Sequence, residues 1–180
     1  TNFRARRTNS DIAATKGHPV EVFNVQGAGC VRHLWFVFGQ QYDLAGMDIE
    51  ILVDDAAEPQ VRMPFRSFFG VLLGFPDYHI DSAGLATFPN FTVKNNANIS
   101  QKASPGWNSY LPIPFSKSCR ITIYSENERR GAGTVDWQQY RGPVKLTPLR
   151  FYAQHNIALP VASGAAFPIA TTEGTGFLAG

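Results

Sequence analysis

The sequence predicts an all-β protein, a sandwich or jelly roll, and three observations carry that expectation. Short runs alternate apolar and polar residues with a period of two, as in DIEILVD at 48–54 and CRITIYS at 119–125. Glycine (16) and proline (12) punctuate these runs, and phenylalanine, at 14, supplies bulk suited to a pleated surface. Helix signals are poor: only residues 11–16 favour a helix, and that stretch is a turn or two long and stops at Gly17. Short strands with such punctuation fit two packed sheets.

Each element has its own signal. Residues 1–18 read as an N-terminal arm carrying Arg4, Arg6 and Arg7. A first short strand is expected at 20–25. Gly27-Ala28-Gly29 precedes a strand rather than opening a helix, so it marks a hairpin or bulge and not a dinucleotide loop. In CVRHLWFVF, 30–38, most residues on both faces are apolar or aromatic, which suits a strand covered on both sides. In 48–54, Ile49, Ile51 and Val53 point one way and Glu50 the other, and DDAAEPQ then reads as a hairpin connection into QVRMPF.

The Gly- and aromatic-rich segment 69–90, containing FPDYHIDSAG, reads as a long loop, with a short strand at 88–93. In WNSYLPIPFSKSCR, 107–120, Pro112 and Pro114 lack N–H donors. Residues 110–115 should therefore run extended and unpaired on one side, at an edge or corner. Pairing resumes at Cys119, with Ile121 and Ile123 inward. Further strands are expected at 134–140 and 149–154, and the tail ATTEGTGFLAG reads as a turn opening another strand at Phe177 and Leu178. Neither a repeat nor a linker interrupts the chain, so a single domain is expected over 1–180.

Composition excludes several classes. A chain of 180 residues buries roughly 70 % of its unfolded surface, so its core needs no disulfide or metal. A net charge of +2 is too small to imply nucleic acid or an anionic membrane as partner. No apolar stretch approaches ~18 residues, so no membrane-spanning helix is expected. No signal peptide is visible, and a secreted or periplasmic location is favoured. Cys30 and Cys119 each sit in a strand-like run, as buried free thiols or as a disulfide between neighbouring strands. Asn90-Phe91-Thr92 and Asn98-Ile99-Ser100 are glycosylation sequons.

Little of the chemistry stands out. No Gly-x-Ser-x-Gly occurs. His18, His33, His79 and His155 lack the close spacing of a metal site, and no cofactor is expected. Residues 76–81, PDYHID, group two carboxylates and an imidazole that could bind a cation, although a solvated turn explains them as well. His33, between Arg32 and Leu34-Trp35, reads as a satisfied core or interface residue. Of 14 acids, Asp77, Asp81, Asp136 and Glu173 are loop or strand-end candidates, and nothing marks two of them as a glycosidase pair. Arginines near the N-terminus could form a solvated arm, a subunit contact or a site for an anionic or hydroxylated ligand. Trp107-Asn108-Ser109-Tyr110 joins rings to an amide and hydroxyls, which suits a sugar, whereas a Trp filling one end of a core is the plainer alternative.

The order of motifs resembles glycoside hydrolase family 172, formerly a domain of unknown function. FRARRTNSD at 3–11 is similar to the family's Arg-Arg-x-Ser-Ser start, and GAGCVRHLWFVF at 27–38 to its Gly-Pro-Gly-x-Ile-x-His-Ile-Trp strand. The run from Ile49 to Gly70 resembles its strand, turn and Phe-Phe-Gly segment. YLPIPFSKSCRITI at 110–123 is similar to its Tyr-x-Pro-Met-Pro-Phe-x-Lys-Ser-Ala-Arg-Ile signature, and LRFYAQHN and GTGFLAG follow in family order.

The resemblance implies a jelly-roll β-sandwich, one half of a double jelly roll, acting on fructofuranosides or arabinofuranosides. It also implies trimers or larger self-assemblies, with sugar sites near protomer boundaries and an architecture like that of viral capsid proteins. The family's catalytic glutamates follow the Gly-x-Gly-x-Tyr-x-Gly strand, and no residue here aligns with them, so no catalytic residue is expected in this chain. In such an enzyme Arg6, Arg7, Ser10, Trp107 and Asn108 would line a sugar site. The other expectations are a structural, ring- or shell-forming jelly roll, and a non-catalytic carbohydrate-binding module.

Overall fold

The computed structural model describes residues 2–39, 44–71, 80–87, 92–94, 100–102, 106–142, 146–158, 160–168 and 170–179. In chain order the strands are β1 (Phe3–Ala14), β2 (Val20–Gln26), β3 (Gly29–Phe38), β4 (Met47–Val53) and β5 (Val61–Pro64). A one-turn helix α1 (Phe65–Phe68) follows, then β6 (Ile80–Asp81), β7 (Leu85–Thr87), β8 (Thr92–Lys94) and β9 (Ser100–Lys102). The last four are β10 (Gly106–Ser109), β11 (Ile113–Phe115), β12 (Ser118–Ser125) and β13 (Arg129–Tyr140). They make a jelly-roll β-sandwich. The larger sheet runs β1-β13-β3-β10-β7-β6 with β11 also on β3, the smaller runs β2-β12-β4-β5, and β8 pairs β9 separately.

Each sheet is built around an interior strand with an apolar inward face. β3 lies between β13 and β10, with Leu34, Phe36 and Phe38 buried inward and His33, Trp35 and Val37 half-buried on the outer face. In the smaller sheet β12 lies between β2 and β4 and sends Cys119, Ile121 and Ile123 into the core. There they meet the sheet's inward Met47, Ile49, Ile51 and Val53, while Glu50 faces out, as the alternation requires. The 54–60 connection is a hairpin, with Asp54 and Asp55 both at left-handed φ (60° and 54°). An aromatic cluster fills the space by α1: Phe65 and Phe69 pack near-perpendicular to Phe36, and both meet Trp107 edge-on. Each buried ring contributes about 1.5–3 kcal/mol of transfer free energy.

Several expectations change. Residues 1–18 contain the 12-residue strand β1, paired with β13 from Phe3↔Tyr140 to Ala14↔Arg129, where an arm was expected. Residues 11–14, read as helix-friendly, complete that strand because Ile12 and Ala14 fill the core; an uncapped turn or two of helix is marginal on its own. β13 starts five residues before the expected strand at 134. The 149–154 run makes only one parallel bridge, Ala153 to Val61, with Phe151 against the core. In the tail, Gly174 turns at φ 87°, and Phe177 and Leu178 are exposed without strand pairing. Asn90 and Asn98 of the sequons, Asp77, His79 and half of the 69–90 segment lie outside the described residues, and the described part of that segment, expected as a loop, carries β6 and β7.

The proline-flanked stretch proves to be the crossing between sheets. β10 pairs β3 at residues 34–37, residues 110–112 interrupt the ladder, and β11 rejoins β3 at residues 29–31. Only three residues later β12 is in the smaller sheet. The turn is fastened by Asp54: Oδ1 accepts the Ser116 and Lys117 N–H groups (2.6 and 2.7 Å), and Oδ2 accepts from Arg150 Nε (2.6 Å). Burial opposes the charged Asp54 carboxylate, yet these donors outweigh it and hold its pKa below the ordinary carboxylate value. Cys30 and Cys119 stand in different sheets as buried free thiols. Burial raises the pKa of both, so they are protonated and unreactive.

Candidate functional site: a polar row across the larger sheet

Antiparallel register places Arg7, Asp136 and His33 directly opposite one another on three adjacent strands. Arg7 Nε donates to Asp136 Oδ1 at 2.6 Å and Nη2 to Oδ2 at 2.9 Å, a two-pronged carboxylate contact. Asp136 Oδ2 lies 3.1 Å from His33 Nδ1, and His33 Nε2 lies 3.1 Å from Asn108 Oδ1. The Asn108 amide nitrogen donates to the Ala86 carbonyl at 3.1 Å. A continuous polar row therefore crosses β1, β13, β3 and β10 and ends on the backbone of β7.

Beside it Tyr110 lies flat on the His33 ring, centroids 4.6 Å apart and planes 4° from parallel. Tyr110 follows Ser109, the last residue of β10 in register with β3, so the interruption before Pro112 is what frees its ring to lie there. Both acceptors facing His33 are oxygens, so the row is fully satisfied when each ring nitrogen carries a proton.

The row is accessible. Arg7 is 63 % exposed at its side chain, Asp136 27 % and His33 22 %, and Tyr110 is 47 % exposed. The Arg7 hydrogen bonds and, against the opposing effect of burial, those of His33 hold the Asp136 carboxyl below its ordinary pKa. It is thus an ionised anchor and a poor proton donor near neutrality. Such a surface can orient a polyhydroxylated ligand, with a ring face for C–H groups and fixed polar groups for hydroxyls.

The five predicted site residues divide. Arg7 and Asn108 enter the row. Trp107, adjacent to Asn108, faces the opposite way and is buried in the aromatic cluster. Ser10 points inward, its hydroxyl donating to the Val22 carbonyl at 2.8 Å and tying β1 to β2. Arg6 also turns away from the row, holding the Gln139 amide oxygen with Nε and Nη2 at 3.2 and 3.1 Å. His33 was correctly read as satisfied, but its place in a row with Arg7 and Asp136 was not visible. Asp136 lies 129 positions from Arg7 and 103 from His33, and only the ladder register brings the three together. Among the described residues no cluster of His, Cys, Asp and Glu could hold a metal ion.

A family model described as GH172 first beta-sandwich domain matches residues 4–142, a span that holds the whole row and both sheets except for Phe3. No curated protein matches the chain.

Proposed function

Since the chain belongs to glycoside hydrolase family 172, as its first β-sandwich domain, we propose that it provides the sugar-facing scaffold of an enzyme acting on fructofuranosides or arabinofuranosides. The observation that carries this reading is the Arg7–Asp136–His33–Asn108 row, open to solvent from Arg7 to His33 and ending on a buried amide, beside the stacked Tyr110 ring. Furanosides present C–H faces and several hydroxyls, which match a ring and fixed polar groups.

The same row argues for binding without hydrolysis. Glycoside cleavage uses two carboxyl groups roughly 5–9.5 Å apart, one of them able to give up a proton. Asp136 is the row's one carboxylate, and Arg7 keeps it ionised. Elsewhere Glu50 is engaged by Arg62, Glu126 by Lys16 and Glu128 by Arg130. In this reading the catalytic acids come from outside these 180 residues. The chain alone should not hydrolyse aryl α-fructofuranosides or arabinofuranosides, but should bind the free sugars, with NMR shifts at His33 and Tyr110 that vanish in Tyr110→Ala. Turnover by the chain alone refutes the division of roles, and a folded chain that binds neither sugar refutes the sugar-facing role.

A second reading, self-association into a trimer or larger assembly, draws support from the exposed Tyr152, Ile157, Phe177 and Leu178 side chains. Sedimentation velocity tests it: a species of at least three chains is expected, and a monomer at all concentrations excludes it.

A further inference from the structure

On the side of β1 away from the row, a groove of about 340 Å³ opens where β1 and β13 meet β2. Arg6 and Thr8 line it from β1, Val25 and Gln26 from β2, and Trp137 and Gln139 from β13. Among the described residues no carboxylate lines it. Arg7, whose residue also borders the groove, has its charge met by Asp136 in the row. Arg6 has no ion-pair partner among the described residues. Two of its N–H groups share one neutral oxygen, Gln139 Oε1, so its charge is uncancelled and the rest of its fork is uncommitted. Trp137 packs its ring on Phe23 and Phe115 and is only 8 % exposed, and its Nε1–H finds no acceptor among the described residues. The wall therefore offers the positive charge and spare N–H donors of Arg6, with no carboxylate among its described lining residues to meet them, while the Trp137 N–H is itself buried.

We propose that this groove is a binding site for a small oxyanion, a carboxylate or phosphate group carried on a polar ligand, held by the free N–H groups of Arg6. A neutral sugar hydroxyl both donates and accepts, whereas an oxyanion only accepts, with charge, and that is what this lining lacks. The site is separate from the row because alternation along β1 sends Arg6 and Arg7 to opposite faces. It therefore stands or falls independently of the furanoside reading.

The three tryptophans make the test direct. The ¹⁵N-labelled 180-residue chain is titrated at constant ionic strength with inorganic phosphate, D-glucuronate and, as the neutral arm, D-glucose, and the indole N–H signals are followed. Trp137→Phe assigns the reporter signal. Trp107, whose Nε1–H is likewise buried without an acceptor, is the internal control for the fold.

The expected result is a saturable shift of the Trp137 signal at millimolar phosphate or glucuronate, a still Trp107 signal, and about tenfold weaker binding in Arg6→Gln, the loss of one charge-assisted contact. A response to phosphate alone points to phosphorylated ligands, and one to glucuronate alone to acidic sugars. No saturable shift with either oxyanion, an equal response to glucose, or an unchanged affinity in Arg6→Gln overturns the proposal.

Discussion

Trp107 and Asn108 are neighbours in the chain and opposites in role, since strand alternation sends the indole to the core and the amide to the outer face. Replacing Trp107 with Ala should cost about 3–5 kcal/mol by urea denaturation, the penalty for deleting a large core ring. Trp107→Phe should recover most of that. A Trp107→Ala protein of unchanged stability that had lost sugar binding would instead assign the ring to a surface site.

Asp136 makes a different prediction. Its folded-state pKa lies below the ordinary value of about 3.9, so on acidification the unfolded chain takes up the proton first. Its contribution is whole above that ordinary value and is lost as pH falls through the folded pKa. Asp54, also depressed, adds to the same acid limb. In Asp136→Asn the decline in urea midpoint below about pH 4 should be shallower than in the parent; an identical limb would show that the Arg7–Asp136 contact is energetically idle.

Among the elements, β13 shows why part of the fold escaped notice in the sequence. The strand expected at 134–140 leaves out its first five residues, Gly131 and Gly133 among them. In the sheet those glycines lie opposite β3, where a Cβ at Gly133 would sit 2.7 Å from the Phe36 ring and one at Gly131 2.2 Å from the Val37 carbonyl oxygen. Glycine here makes room for large rings on the partner strand, a reason invisible until the partner is known. Gly133→Ala should therefore destabilise the protein by roughly 1–3 kcal/mol, an overpacking cost that calorimetry would read as a lowered Tm.

The opposite case is β12 and β4, whose inward residues were assigned correctly. Their alternation is local, and a period of two is enough to say which side is buried. The proline stretch lay between these cases. Its extended form was legible from Pro112 and Pro114, while its passage from one sheet to the other, fastened by Asp54 and Arg150, depends on contacts 34 to 96 residues away.

For the molecule as a whole, the sandwich class and the inward apolar set could be read from the chain, and the site mostly could not. Residue types announced themselves at Arg7 and Asn108, but Ser10, Arg6 and Trp107 shared the same local signature and went elsewhere. What separates them is which face each occupies and which strand lies alongside, and both are settled by pairing across the whole domain. The first strand finds its partner in the last, with Arg7 and Asp136 separated by 129 positions. At a synthesis rate of about 5–20 residues per second, β1 waits roughly 6 to 26 s for β13 to be made. Throughout that interval a 12-residue strand stands as a loose end while the newborn chain grows. Arg4, Arg6 and Arg7 place like charge on that strand, which disfavours its pairing with the same strand of a neighbouring chain.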